Sequence, residues 1–238
     1  MALEAWEATR SALDIEWQAI GVPGTWWTGA ERRAIAAEGR AARECVLCAE
    51  RKTALSPNAV AGGHPANPAL SAAAVDAVHR IATDPGRLSS SWYRSCLSGG
   101  LLPEQVVEMT GVLGVLTLAD SLARALDCEP PPLPDALPGA PSRTRPAGVE
   151  VKGGWAPMVT PAGAEGEVRI MYDLVDSAAG FVFNVVRALS AVPASMGAFF
   201  RTFLPNYATH GAVPEGALSR PQVELLASST SALNDCFY

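Results

Sequence analysis

The 238-residue chain has no run rich in Lys or Arg, and its formal net charge is -6. Phosphate binding needs a basic surface, so nucleic acid is excluded as a main partner, and attraction to an anionic membrane surface fails for the same reason. A long uninterrupted apolar span is also lacking. The stretch GFVFNVVRALSAVPASMGAFF is broken by Asn184, Arg187 and Pro193, so no transmembrane helix is expected. The opening MALEAWEATRSALDIEW carries Glu4, Glu7, Asp14 and Glu16 among its apolar residues. It lacks the basic head and apolar stretch of a secretory signal, and the expected location is the cytoplasm. No alternating run of the strand kind appears. What the chain does have is apolar substance, 49% hydrophobic against 18% charged, which reads as a folded protein. Its five cysteines are expected as thiols in a reducing compartment, where any disulfide is transient and chemical in purpose.

The expected fold class is all-α. Thr28 to about Lys52 favours one helix, opened by a capping box of Thr28 and Glu31, with Gly39 as its weak spot. Residues 72–83 read as a second helix ended by Asp84, Pro85 and Gly86. Pro103 to Asp127 reads as a third, so nearly apolar around Val112–Leu118 that it is expected at the centre of the core. Residues 129–160 hold EPPPLPDALPGAPSRTRP, which reads as an extended linker between a first half, 1–128, and a second, 161–238. The second half is again helical in pattern.

The two halves share a spacing. Thr28 and Ser219 each start a capping box, and each is followed seventeen residues later by a cysteine, Cys45 and Cys236. An offset of 191 lays ECVLC on DCFY, so that Cys48 of the C-x-x-C falls on position 239. Glu224 stands twelve residues before Cys236. With Pro161, Glu165, Gly166, Tyr172, GFVFNVVRALSAVP and LSRPQVELLA, these features resemble the AhpD-like superfamily of alkylhydroperoxidase D and carboxymuconolactone decarboxylase. Its redox members carry a glutamate, a C-x-x-C twelve residues on, and a histidine four residues after that. The resemblance implies a tandem helical repeat with the second copy incomplete at its redox motif. Some members are selenoproteins, and one expectation is that the gene continues through a UGA codon after Tyr238; a truncated gene is the other.

The resemblance further implies a thiol- or selenol-dependent oxidoreductase that reduces hydroperoxides and is recharged by a dithiol or thioredoxin-like donor. The implied catalytic residues are Cys236 and Glu224 in the second copy, with Cys45 and Cys48 in the first. No cofactor is implied, and a homo-oligomer is expected. The first copy departs from the pattern, because Arg33 and Lys52 stand where the glutamate and histidine belong. Glu38, two helical turns before Cys45, is the substitute acid if the helix runs unbroken. Arg43, Arg51 and Lys52 would favour thiolate. At the second copy, Asn234 in a left-handed conformation and Asp235 as a cap would put Cys236 in the first turn of a new helix. No metal is expected, since zinc needs four ligands and His64 and His79 follow the C-x-x-C at irregular spacing; each reads as a surface or capping residue. Cys96 and Cys128 read as incidental. Two other functions fit the residues: a non-catalytic AhpD-like module for oligomerisation or partner binding, and a cofactor-free decarboxylase or lactonase.

Overall fold

The computed structural model describes residues 2–203, 218–234 and 236. The fold is all-α. In chain order the helices are α1 (Ala2–Ala19), α2 (Gly29–Ala41), α3 (Val46–Thr53), α4 (Ala72–Thr83), α5 (Ser90–Ser98), α6 (Pro103–Ala125), α7 (Gly166–Ala179), α8 (Asn184–Arg187), α9 (Pro193–Phe203) and α10 (Arg220–Leu233). Two antiparallel strands of two residues each, β1 (Val149–Glu150) and β2 (Met158–Val159), pair between α6 and α7. They are too short to show as alternation in the sequence.

Local chemistry sets the boundaries. The Thr28 hydroxyl accepts from the Glu31 amide and the Glu31 carboxylate accepts from the Thr28 amide, so the expected capping box opens α2. Ser71 and Ser89 cap α4 and α5 by accepting from Ala74 and Trp92 amides. The helix expected over Thr28–Lys52 is interrupted: a single 3-10 turn, Ala42–Glu44, separates α2 from α3, and Cys45 between them is extended at φ -75°, ψ 120°. That break reorients the chain at the C-x-x-C.

α6 is the hub. By length and composition it could cross a membrane, but 56% of its most apolar window is buried in the fold. Its buried carboxylates are all held by arginines. Glu108 pairs with Arg32 at 2.5 Å and accepts from the Trp26 amide; Asp120 takes Arg40 at 2.8 Å and Arg43 at 2.9 Å; Glu104 takes Arg145 at 2.7 Å. An unpaired charge in such surroundings would be strongly unfavourable, so the Arg32 and Arg40 pairs fix how α2 lies on α6, and the Arg145 pair ties the segment after α6 to its start. Gly39 belongs to the same contact, since a Cβ there would meet Leu113 and Leu116 methyls at 2.7 Å. The residue that weakens the helix in isolation lets it approach its neighbour.

Residues 129–146 carry no helix or strand and lie along the first half. The Trp17 indole donates to the Pro132 carbonyl, Arg40 to that of Pro131 and Arg33 to that of Pro134. In return the Leu137, Ser142 and Arg143 amides donate to the carbonyls of Gly21, Gly24 and Thr25, and Arg143 and Arg145 lie over the Trp26 ring. Beyond this strap a second apolar cluster forms around Val159, Val168, Tyr172, Met196 and Phe200. α9 joins it to the first half, with Arg201 paired to Glu16 of α1 at 2.6 Å.

Candidate active site

The break after α2 sets Cys45 at the N-cap and Cys48 three residues later in the first turn of α3. Both thiols therefore sit at the positive end of a helix, a position whose pull toward the anion is outweighed at Cys48 by burial. Cys45 is half-buried and Cys48 is buried. The residues around them come from elsewhere in the chain. α4 supplies Asp76 and His79, three positions apart and hence on one face, while the loop between α3 and α4 supplies His64. Gly62 makes that delivery possible. Its φ of +153° suits glycine, and a Cβ would strike the Leu47 side chain at 2.8 Å as the loop closes over α3.

The geometry is tight. His79 Nδ1 lies 3.2 Å from Cys48 Sγ, and its Nε2 lies 3.0 Å from Glu38 Oε2. His64 Nδ1 lies 3.6 Å from Cys45 Sγ, and its Nε2 lies 3.3 Å from Asp76 Oδ1. The two imidazole rings lie face to face at a tilt of 32°, with centroids 3.8 Å apart. Glu38 also accepts from the Asn67 side-chain amide at 2.6 Å, and Asp76 is held by Arg51 at 2.6 Å. Both histidine side chains are 3% exposed. The two sulfurs and one nitrogen of each histidine all lie within 4.8 Å of one another.

Environment divides the groups by role. Burial pushes the Cys48 thiol up to about 11, against a downward pull from the Thr83 hydroxyl and from Arg51. Burial and the neighbouring His79 lower the His64 value, with Asp76 opposing, which favours its neutral form. A cleft of about 320 Å³, bounded by His64, Asn67 and Asp76, opens beside the site. A larger one of about 550 Å³ lies between α6 and α9, but its lining is apolar and carries no titratable side chain. Size does not mark the chemistry here.

The sequence-derived candidates fare unequally. Cys45 and Cys48 come together, and Glu38 reaches the site although the helix that was to carry it does not run on to Cys45. It does so through His79, a residue read from the sequence as a surface or capping one; His64, read the same way, is equally part of the cluster. Of the three basic residues expected near the thiols, Arg51 is there, whereas Arg43 is committed to Asp120. Arg33 serves the strap. Cys96 is buried on α5 and Cys128 is exposed. In the second half, the Ser219 box opens α10 as expected. Glu224 pairs with Arg220 one turn back, and exposed Cys236 lies beyond the other end of that helix. Asn234 is not left-handed, at φ -100°, and Asp235 lies outside the described residues. No protein-family model matches the chain, and neither characterised proteins nor solved structures give a match.

Proposed function

We propose that this chain is a thiol-dependent oxidoreductase of AhpD-like type that reduces hydroperoxides through Cys45 and Cys48. The observation that carries this reading is the hydrogen-bonded line Glu38–His79–Cys48. It supplies the carboxylate, imidazole and thiol of the AhpD-like relay from different chain positions, the acid seven residues before Cys45 instead of twelve and the histidine from α4. The capping boxes at Thr28 and Ser219 support the reading of two related halves, with Glu224 and Cys236 in the second.

Half-buried Cys45, at the helix N-terminus, attacks the terminal peroxide oxygen as thiolate. The O–O bond breaks, the leaving alkoxide takes the proton that Cys45 released and departs as the alcohol, and Cys45 becomes a sulfenic acid. His79 then takes the Cys48 proton through Nδ1, with Glu38 stabilising the imidazolium at Nε2. The Cys48 sulfur attacks Cys45, the S–O bond breaks and water leaves with the remaining proton. The sum is two thiols and one hydroperoxide giving one disulfide, one alcohol and one water. An external dithiol or thioredoxin-like protein returns the electrons by exchange. The test is to treat the reduced full chain with an alkyl hydroperoxide and follow alcohol formation with a disulfide map. One alcohol per Cys45–Cys48 disulfide is expected, and loss of either cysteine as serine abolishes turnover. Thiols that survive peroxide intact would overturn the reading.

A further inference from the structure

We infer that the reduced site is also a tetrahedral binding site for a thiolate-seeking divalent cation, Zn²⁺ above others, with Cys45, Cys48, His64 and His79 as its four ligands. The donor set is two sulfurs and two imidazole nitrogens, the combination that selects zinc over oxygen-seeking Mg²⁺ or Ca²⁺. Zn–S bonds of about 2.3 Å and Zn–N bonds of about 2.0 Å place tetrahedral ligand atoms roughly 3.3–3.8 Å apart. The observed sulfur–nitrogen separations of 3.2 and 3.6 Å fall at that spacing, and no pair of the four exceeds 4.8 Å. Little movement is needed to close them on one ion.

A second and independent feature lies behind the ligands. Each histidine turns Nδ1 to a sulfur and Nε2 to a carboxylate, His79 to Glu38 and His64 to Asp76. A proton held at Nε2 leaves the Nδ1 lone pair facing inward, which is the carboxylate–histidine–metal arrangement. Asn67 and Arg51 in turn hold the two carboxylates. The proton transfer from Cys48 uses one such imidazole; the second, His64 with its own carboxylate, faces Cys45 and has no part in that transfer. Four-coordination explains both.

Binding replaces the two thiol protons by one dication, leaving a neutral centre of two thiolates and Zn²⁺. The metal site stands on this geometry; its consequence for catalysis rests on the redox reading above. Zinc ties up the sulfur pair that peroxide must reach, so the metal shields the site. Oxidation ejects it: the bound dithiolate, one hydroperoxide and two protons give the disulfide, free Zn²⁺, an alcohol and water.

The test uses the full chain, reduced and stripped of metal, titrated with Zn²⁺ alone and separately with Co²⁺ as a spectroscopic probe. One ion per chain is expected, with intense tetrahedral Co²⁺ bands and thiolate-to-cobalt charge transfer. Asp76→Asn and Glu38→Gln, which leave all four ligands in place, should each weaken Zn²⁺ about 10–100-fold. Failure of the wild-type chain to take up one Zn²⁺, or a six-coordinate cobalt spectrum without charge transfer, would overturn the inference. The two readings fail separately. A metal-free chain that makes alcohol and disulfide but binds no zinc sinks the metal site alone, whereas tight zinc with no peroxide turnover in the stripped chain sinks the peroxidase alone. Zinc appearing in solution as the disulfide forms supports both.

Discussion

At the scale of single residues, His79 separates the two halves of the proposed cycle. It acts on Cys48, so His79→Asn should slow disulfide formation about 100-fold or more, while Cys45 still forms a sulfenic acid that a dimedone-type reagent traps. Loss of both steps together would show that the imidazole merely holds the structure. Away from the site, burial pushes the Cys96 thiol from its ordinary 9.0 to about 11, and burial with nearby Glu104 pushes the Tyr93 phenol from 10.0 to about 12. In both cases the folded chain keeps a proton that the unfolded chain loses first. Stability is therefore complete below 9.0 and declines as pH rises toward 11 and 12. Urea midpoints followed across that range should fall, and Cys96→Ala should reduce the earlier part of the fall, leaving the share of Cys48, which burial raises over the same window.

At the scale of elements, α2 and its neighbours show how far the sequence can be read. Thr28→Ala should cost about 1 kcal/mol through the lost cap, and Gly39→Leu about 1–3 kcal/mol through overpacking against Leu113 and Leu116, both measurable by chemical denaturation. The cap was legible because it is a contact between residues three apart. The role of Gly39 was not, because it depends on α6, which lies far along the chain. The same division runs through the site. Cys45 and Cys48 announce themselves by spacing, whereas His64 and His79 carry no fixed interval to them and meet the thiols only when the loop and α4 fold back. Two signals were available even so: His64 follows a glycine pair that can turn the chain inward, and His79 stands three residues after Asp76 on an evident helix. The interruption at Ala42–Glu44 escaped the propensity reading because every residue there tolerates helix. Arg40 and Arg43 both reaching Asp120, and the need to place Cys45 at a helix start, go with the break. No element is read from the sequence over residues 90–98, where α5 starts from the Ser89 cap and buries Trp92, Tyr93 and Cys96.

At the scale of the whole molecule, the proline-rich stretch is held against the first half, while α9 carries the contact of the second half with α1. A segment free in solvent exchanges its amide hydrogens at once; here the amides of Leu137, Ser142 and Arg143 should be protected along with the core of the first half, as their bonds to Gly21, Gly24 and Thr25 require. Uniformly fast exchange over 129–148 would show that the strap is not held. Its position bears on how the protein is made. The side chains that form the thiol cluster, from Glu38 to Thr83, all precede α6 and the strap in the chain. The residues of the proposed redox pair are therefore synthesised before any of the second half, and an N-terminal unit that folds first would form them first.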